Sequence, residues 1–185
     1  GKINKNIYEG SSPDLKVITI EVEEKATGEI FAGAGVGTQG GTIGGGVKEN
    51  NFLGRGVKLD ANIQISETAI RGKFAVVNPN YNYSDNEIRF TGESTRTSKM
   101  TSFGYDSTKT GFSLGTTFEQ YEDIFISPDL STYYESLSTN DNASNALKQQ
   151  EGTYIDTELK YSVIQDKRDQ SFKPTEGYRA SFNQK

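Results

Sequence analysis

From Glu29 onward, apolar and polar positions alternate with a period of two, the repeat of an extended strand whose side chains point to opposite faces. The clearest case is VKLDANIQIS, where Val57, Leu59, Ala61, Ile63 and Ile65 share one face and Lys58, Asp60, Asn62, Gln64 and Ser66 the other. YIDTELKYSVI repeats it, with Ile155, Leu159, Tyr161 and Val163 opposing Asp156, Glu158, Lys160 and Ser162. Ile30, Ala32, Ala34 and Val36 alternate in the same way with Phe31, Gly33, Gly35 and Gly37. The pattern predicts eight strands near residues 29–37, 42–49, 56–66, 70–77, 87–97, 108–117, 123–135 and 153–164, and a ninth starting near Tyr178. No helical period of convincing length interrupts the series. Pro128 should bulge or break the seventh strand, because proline has no N–H to give the ladder. The polar run at residues 136–152, SLSTNDNASNALKQQEG, reads as a mobile surface loop.

The residues before Glu29 read as a hairpin. SSPD is turn chemistry, with Pro13 fixing φ and Asp14 able to bond its local backbone. Leu15, Val17, Thr19 and Glu21 then alternate with Lys16, Ile18, Ile20 and Val22, so both faces carry apolar residues. That strand is expected to be covered on one side and partly on the other. Glu21, Glu23 and Glu24 form a charge run, read as a solvated strand face that closes it. We expect residues 1–27 to be the C-terminal hairpin of a small α+β domain and residues 28–185 to be a separate all-β unit.

Two architectures accept such strands. A soluble sandwich or barrel turns its apolar face inward, whereas a membrane barrel turns it toward lipid. Crossing a bilayer takes ~9–11 tilted residues, and a mean soluble strand is ~5–6. Charges of both signs lie mid-strand, among them Lys58, Asp60, Arg71, Lys73, Glu93, Glu158 and Lys160, as a wet lumen allows. Alternate turns also carry aromatics: Phe52, Tyr81 and Tyr83, Tyr121, and Phe172. These resemble an interfacial girdle, although aromatics also anchor soluble hairpins.

Composition narrows the chemistry. The 185 residues are 32% hydrophobic with a mean hydropathy of −0.67, yet Tyr and Phe number 10 each, which argues against general disorder. A net charge of −5 without a basic block argues against nucleic acid as a partner. There is no Cys and no His, which excludes disulfides, thiolate chemistry, Cys/His zinc sites and His-based catalysis.

Gly35-x-Gly37-x-x-Gly40 fits a dinucleotide-binding pattern, but GTIGGGVKENNFLG follows it and no helix opens on the third glycine. NPNYNYSDNE places oxygen ligands at every second position, yet lacks the central Gly and terminal Glu of a calcium loop. No carboxylate pair or Ser–Lys combination marks a catalytic site, and no metal site or cofactor is expected. In DKRDQSFKPTEGYRASF, Pro174 and Gly177 fix a tight return, and Arg168 can pair with a carboxylate to hold the rim.

Several of these stretches resemble one family in order. VEEKATGE, the alternating GAGVGT and the turn ENNFLGRG resemble the junction between the last POTRA domain and the barrel in the BamA family of outer-membrane protein assembly factors. The turn residues Asn51, Phe52, Leu53 and Gly54 belong to that landmark. Asn78 and Pro79 of NPNY match a second turn, and RDQSFKPTEG, with Arg168, Asp169, Pro174 and Gly177, resembles the family's turn before the ninth strand. The likeness runs from about residue 10 to the end of the chain.

What the resemblance implies is an antiparallel transmembrane β-barrel, of which this chain supplies about eight to nine strands of sixteen. The chain would be a fragment, stopping inside a strand and lacking the family's inward-folded loop and final strand. The hairpin and the three turns would face the periplasm. The first strand, Ile30, Phe31, Ala32, Gly33, Ala34, Gly35, Val36 and Gly37, would be the lateral-gate edge that templates client strands. Implied partners are unfolded outer-membrane β-barrel proteins, accessory outer-membrane lipoproteins and the lipid bilayer, with no covalent catalysis. Rival readings are a small passive outer-membrane barrel, a TamA-like or two-partner-secretion barrel, and a soluble β-sandwich binding module.

Overall fold

The computed structural model describes residues 3–12, 14–23, 25–37 and 40–185; the turn residue Pro13 and the charge-run residue Glu24 lie outside the described residues. β1 (Ile3–Glu9) and β2 (Lys16–Val22) form an antiparallel hairpin with Ile7 opposite Ile18. The Gly10 N–H donates to the Leu15 carbonyl at 2.8 Å to close its turn. Both strands are exposed along their whole length. Ile3, Ile7, Ile18, Ile20 and Val22 share one face, and nothing among the described residues covers it.

The other nine strands form one antiparallel meander, each paired with its neighbours in sequence. They are β3 (Gly28–Gly37), β4 (Gly40–Phe52), β5 (Val57–Ser66), β6 (Ala69–Asn78), β7 (Glu87–Lys99), β8 (Tyr105–Tyr121), β9 (Ile124–Thr139), β10 (Gly152–Asp166) and β11 (Arg179–Gln184). All nine strands anticipated from the alternation are present. Most are longer than the pattern showed, because hydrogen-bonded pairing continues into polar residues where alternation fades. β3 to β10 each have 10 to 17 residues, enough to cross a bilayer.

Two expectations are corrected. β9 runs through Pro128 without a bulge or break. Pro128 pairs with Tyr161 of β10, and on the β8 side pairing lapses only opposite Pro128 and Ser127, resuming at Phe118–Ile126 in unchanged register. The missing N–H is absorbed by that local lapse rather than by a kink. The register shifts lie elsewhere, at Glu49/Phe52 and Glu119/Tyr121.

Residues 136–152 are likewise not one loop. β9 continues to Thr139, and α2 (Asn145–Gln149) follows, with the Ser144 hydroxyl accepting from the Leu147 N–H. Asn140 ties this segment to α1 (Met100–Phe103), donating its N–H to the Gly104 carbonyl at 2.9 Å and its Nδ2 to the Met100 carbonyl at 3.3 Å. The polar residues that suggested mobility are spent on caps and turns.

Residues opposite one another in an antiparallel ladder share a face. One face carries Leu59, Val76, Phe90, Leu114, Leu130 and Leu159, a row in register across six strands. The other carries charges opposite charges: Lys48 beside Glu29 and Asp60, Lys73 beside Glu93, Lys109 beside Glu135, and Asp129 beside Lys160. Among the described residues the only buried hydrophobic side chain is Ala143, at 7% exposure, while Leu130 in the middle of its row is 50% exposed. A single sheet has no second layer to form a core, which excludes the sandwich. Its apolar face suits lipid and its charged face suits a lumen.

The meander has two rims. The near rim holds the start of β3 and the turns at 53–56, 79–86, 122–123 and 167–178. The last of these is the most heavily bonded. Asp166 takes both Arg168 Nε and a terminal nitrogen, at 2.7 and 2.6 Å. Asp169 accepts the Thr175 hydroxyl at 2.7 Å and the N–H groups of Thr175 and Glu176 at 3.0 and 3.2 Å. Gly177 sits at φ +89° with the Lys167 carbonyl where a Cβ would project, so only glycine fits.

Two measurements check this description. Phe74→Lys, on the apolar face, should cost about 2–4 kcal/mol of unfolding free energy in lipid or detergent, and Lys73→Gln on the neighbouring charged face within about 0.5 kcal/mol. Equal costs would undo the assignment of the faces. The Thr175 hydroxyl and then the backbone N–H groups hold the Asp169 carboxyl below its usual range. A lowered folded value means that the turn's bonds persist above the ordinary ~3.9 of a free aspartate and are lost only as pH falls through the folded value. The amide signals of Thr175 and Glu176 should therefore titrate with a midpoint below that figure, and a midpoint at or above it would contradict the geometry.

Candidate functional site

β3 is one edge of the sheet and β11 the other. β3 pairs with β4 from Gly28–Glu49 to Gly37–Gly40, and its other side has no partner among the described residues. An open edge offers a row of N–H and C=O groups to an extended partner. The predicted gate residues divide between its two faces. Ile30, Ala32, Ala34 and Val36 lie on the lipid side, with Ile30 86% and Val36 93% exposed. Phe31, Gly33, Gly35 and Gly37 lie on the lumen side.

The lumen side is nearly bare. Gly33 faces Gly44, Gly35 faces Thr42 and Gly37 faces Gly40, and a Cβ added at Gly33, Gly35 or Gly37 would meet nothing within 4 Å. Phe31 is the exception. Its ring lies across Gly46, where an added Cβ would come 2.8 Å from Phe31 Cζ, and Lys48 Nζ sits 5.3 Å from the ring centroid. Gly46 is therefore the seat of the Phe31 ring.

The two ends of this hairpin are held differently. At the near rim the Thr27 hydroxyl donates to Glu49 Oε1, and the same oxygen accepts the Asn51 N–H at 2.7 Å. Asn50 donates its N–H and its Nδ2 to the Thr27 carbonyl at 3.3 and 3.1 Å. Toward Gly37 and Gly40 the strands have little but backbone pairing. Thr27, Glu49 and Asn50 were not singled out from sequence, since a clasp between residues more than twenty apart leaves no local periodicity.

The turn residues all fall on the near rim. Asn51 Oδ1 accepts the Gly56 N–H at 2.6 Å and its carbonyl the Gly54 N–H at 2.9 Å, with Leu53 and Gly54 at φ 55° and 69°. Phe52 is paired with Val57 just past the register shift. Asn78 Oδ1 accepts the Asn80 N–H at 3.1 Å across Pro79. Arg168, Asp169, Pro174 and Gly177 belong to the bonded turn described above, several strands away from β3. The edge and these turns do not converge on one site. No cluster of metal-ligating side chains occurs among the described residues.

Comparison with known proteins bears on the whole meander. The model of the Omp85 superfamily domain matches residues 51–185. In three dimensions the chain is similar to BamA from Haemophilus ducreyi, solved without POTRA domains 1–3, with a TM-score of 0.70 and 18% sequence identity. The superposition covers 98% of this chain and 38% of that one, so the chain spans well under half the length of that structure. Both the strand order and the outward apolar face follow from this kinship: the chain belongs to the Omp85 superfamily, whose barrels lie in the bacterial outer membrane.

Proposed function

We propose that this chain is the N-terminal part of a BamA-like insertase barrel, which folds and inserts other outer-membrane β-barrel proteins without a covalent step. In this reading residues 1–27 are the last hairpin of a POTRA domain and the near rim faces the periplasm. β3 is the lateral gate, and its unpaired backbone is where a client strand adds to the sheet. Clients would be unfolded outer-membrane barrels, with accessory lipoproteins and the bilayer as further partners.

The observation that carries this reading is the asymmetry of the β3–β4 hairpin: clasped at the near rim and bare of side chains toward the far rim. Glycine weakens a strand through backbone entropy and absent cross-strand contacts. Such an edge can fray from its far end while its root stays fixed, so a partner strand meets loosened rather than locked backbone.

The test uses the full-length protein reconstituted in liposomes. Gly33→Val with Gly35→Val introduces no clash, because nothing lies within 4 Å of either Cβ position, but it stiffens the strand. Client insertion should slow several-fold while the barrel's own thermal stability is kept or raised. Insertion at the unaltered rate would remove the glycine edge from the mechanism.

A further inference from the structure

The lumen face has a polar cavity of about 190 Å³ near the far rim, where β4 and β6 begin and β5 and β7 end. Thr42, Gln64, Thr68, Arg71, Thr97 and Lys99 line it, and no carboxylate does. Lys48, Arg89, Lys109 and Lys160 each lie within 4.0 Å of a glutamate oxygen. Arg71 and Lys99, like Lys58 and Lys73 on the same face, have no such partner among the described residues. Lys99 Nζ rests 5.4 Å from the Phe103 ring centroid, an attraction to the ring face that leaves its N–H groups free to bond an anion. Glu67, in the turn between β5 and β6, accepts the Gly41 N–H at 3.4 Å.

We infer that this cavity is an oxyanion site for a phosphoryl group, with Arg71 and Lys99 supplying the charge and Gln64 and the three threonine hydroxyls the remaining donors. Its volume equals that of roughly six liquid waters, room for one phosphoryl group with its residual hydration. Arginine presents a rigid fork of N–H donors to oxyanions and lysine a mobile point charge. A phosphoryl group offers at least three oxygens to donors spread over four strands, where a carboxylate offers two.

A second hollow of about 760 Å³ runs along the glycine face of β3 and β4, bordered by Gly33, Gly35, Gly37 and Gly44, and shares Thr42 and Gln64 with the first. The bare glycines thus form a floor leading from the open edge to Arg71. A free phosphate could arrive through the lumen, and a phosphorylated lipid headgroup across that floor. The site rests on the lumenal assignment of this face and not on client pairing, so its failure would leave the gate reading untouched.

The test takes the full-length protein in uncharged detergent at fixed ionic strength, with modification of Arg71 by phenylglyoxal read by mass spectrometry. Inorganic phosphate should slow that modification at least fivefold and saturably, whereas acetate should not. Calorimetric titration should show phosphate affinity at least tenfold weaker in Arg71→Gln and Lys99→Gln and unchanged in Lys58→Gln, a lumen-side cation near the other rim. Because protection is measured on the unaltered protein, a misfolded variant cannot obscure the result. In nanodiscs, protection by phosphatidic acid but not phosphatidylcholine would uphold the site with lipid as the source. Protection by added phosphate in both would uphold it with free phosphate. No protection, or equal protection by acetate, overturns the proposal.

Discussion

A chain that crosses hydrocarbon must satisfy every backbone N–H and C=O within itself, because no water is present to do so. In this chain that requirement is met by eight consecutive antiparallel pairings from β3 to β11. Side chains need only suit the solvent on each side. The row from Leu59 to Leu159 faces lipid and the alternating Lys–Glu and Lys–Asp pairs face the lumen, and neither supplies a core. The same requirement gives β3 its importance. Its outer edge, like that of β11, has no partner among the described residues.

The hairpin that ends in this edge is graded along its length. At the near rim, Glu49 and Asn50 gather Thr27 with four hydrogen bonds, counting the Asn51 N–H on Glu49. Midway, the Phe31 ring seats on Gly46. Beyond it, Gly33, Gly35 and Gly37 contribute no side chain at all. Cross-strand side-chain pairs contribute roughly 0.2–1 kcal/mol each, so leaving three positions bare removes about 0.6–3 kcal/mol, comparable to one helix cap. The sequence spends glycine where pairing is to be weak and polar clasps where it is to be fixed.

How much of this could be read from sequence follows from the range of each interaction. Alternation is local, so all nine strands and the division into two faces were legible, as in VKLDANIQIS. So was the composition of the rim turns, where Gly177 and Asp169 stand within eight residues of each other. Pro128 misled because proline is unfavourable only if its missing N–H has to be replaced, and a lapse of pairing opposite Thr116 and Thr117 removes that demand. Residues 136–152 misled because polarity was taken for mobility, when Asn140 and Ser144 use theirs to fasten the segment to Gly104 and to cap α2. The clasp of Thr27 on Glu49 and the rows that set Gly33 beside Gly44, Gln64 and Arg71 join residues far apart in sequence. Only the register brings them together.

That register also ties the glycine edge to the lumenal wall behind it. Gly33 lies in one cross-strand row with Gly44, Gln64 and Arg71, and Gly35 in the next with Thr42, Ser66 and Ala69. A partner strand added to β3 would extend these rows outward by one position without disturbing a side chain on β3, since there is none at either place to move. Side chains of such a partner that turn toward the lumen would then lie over the glycine floor, with Arg71 in the same row on β6. Residues that make the edge easy to open thereby also keep the approach to Arg71 clear, and a single feature of the sequence, glycine at every second position from Gly33 to Gly37, serves both ends.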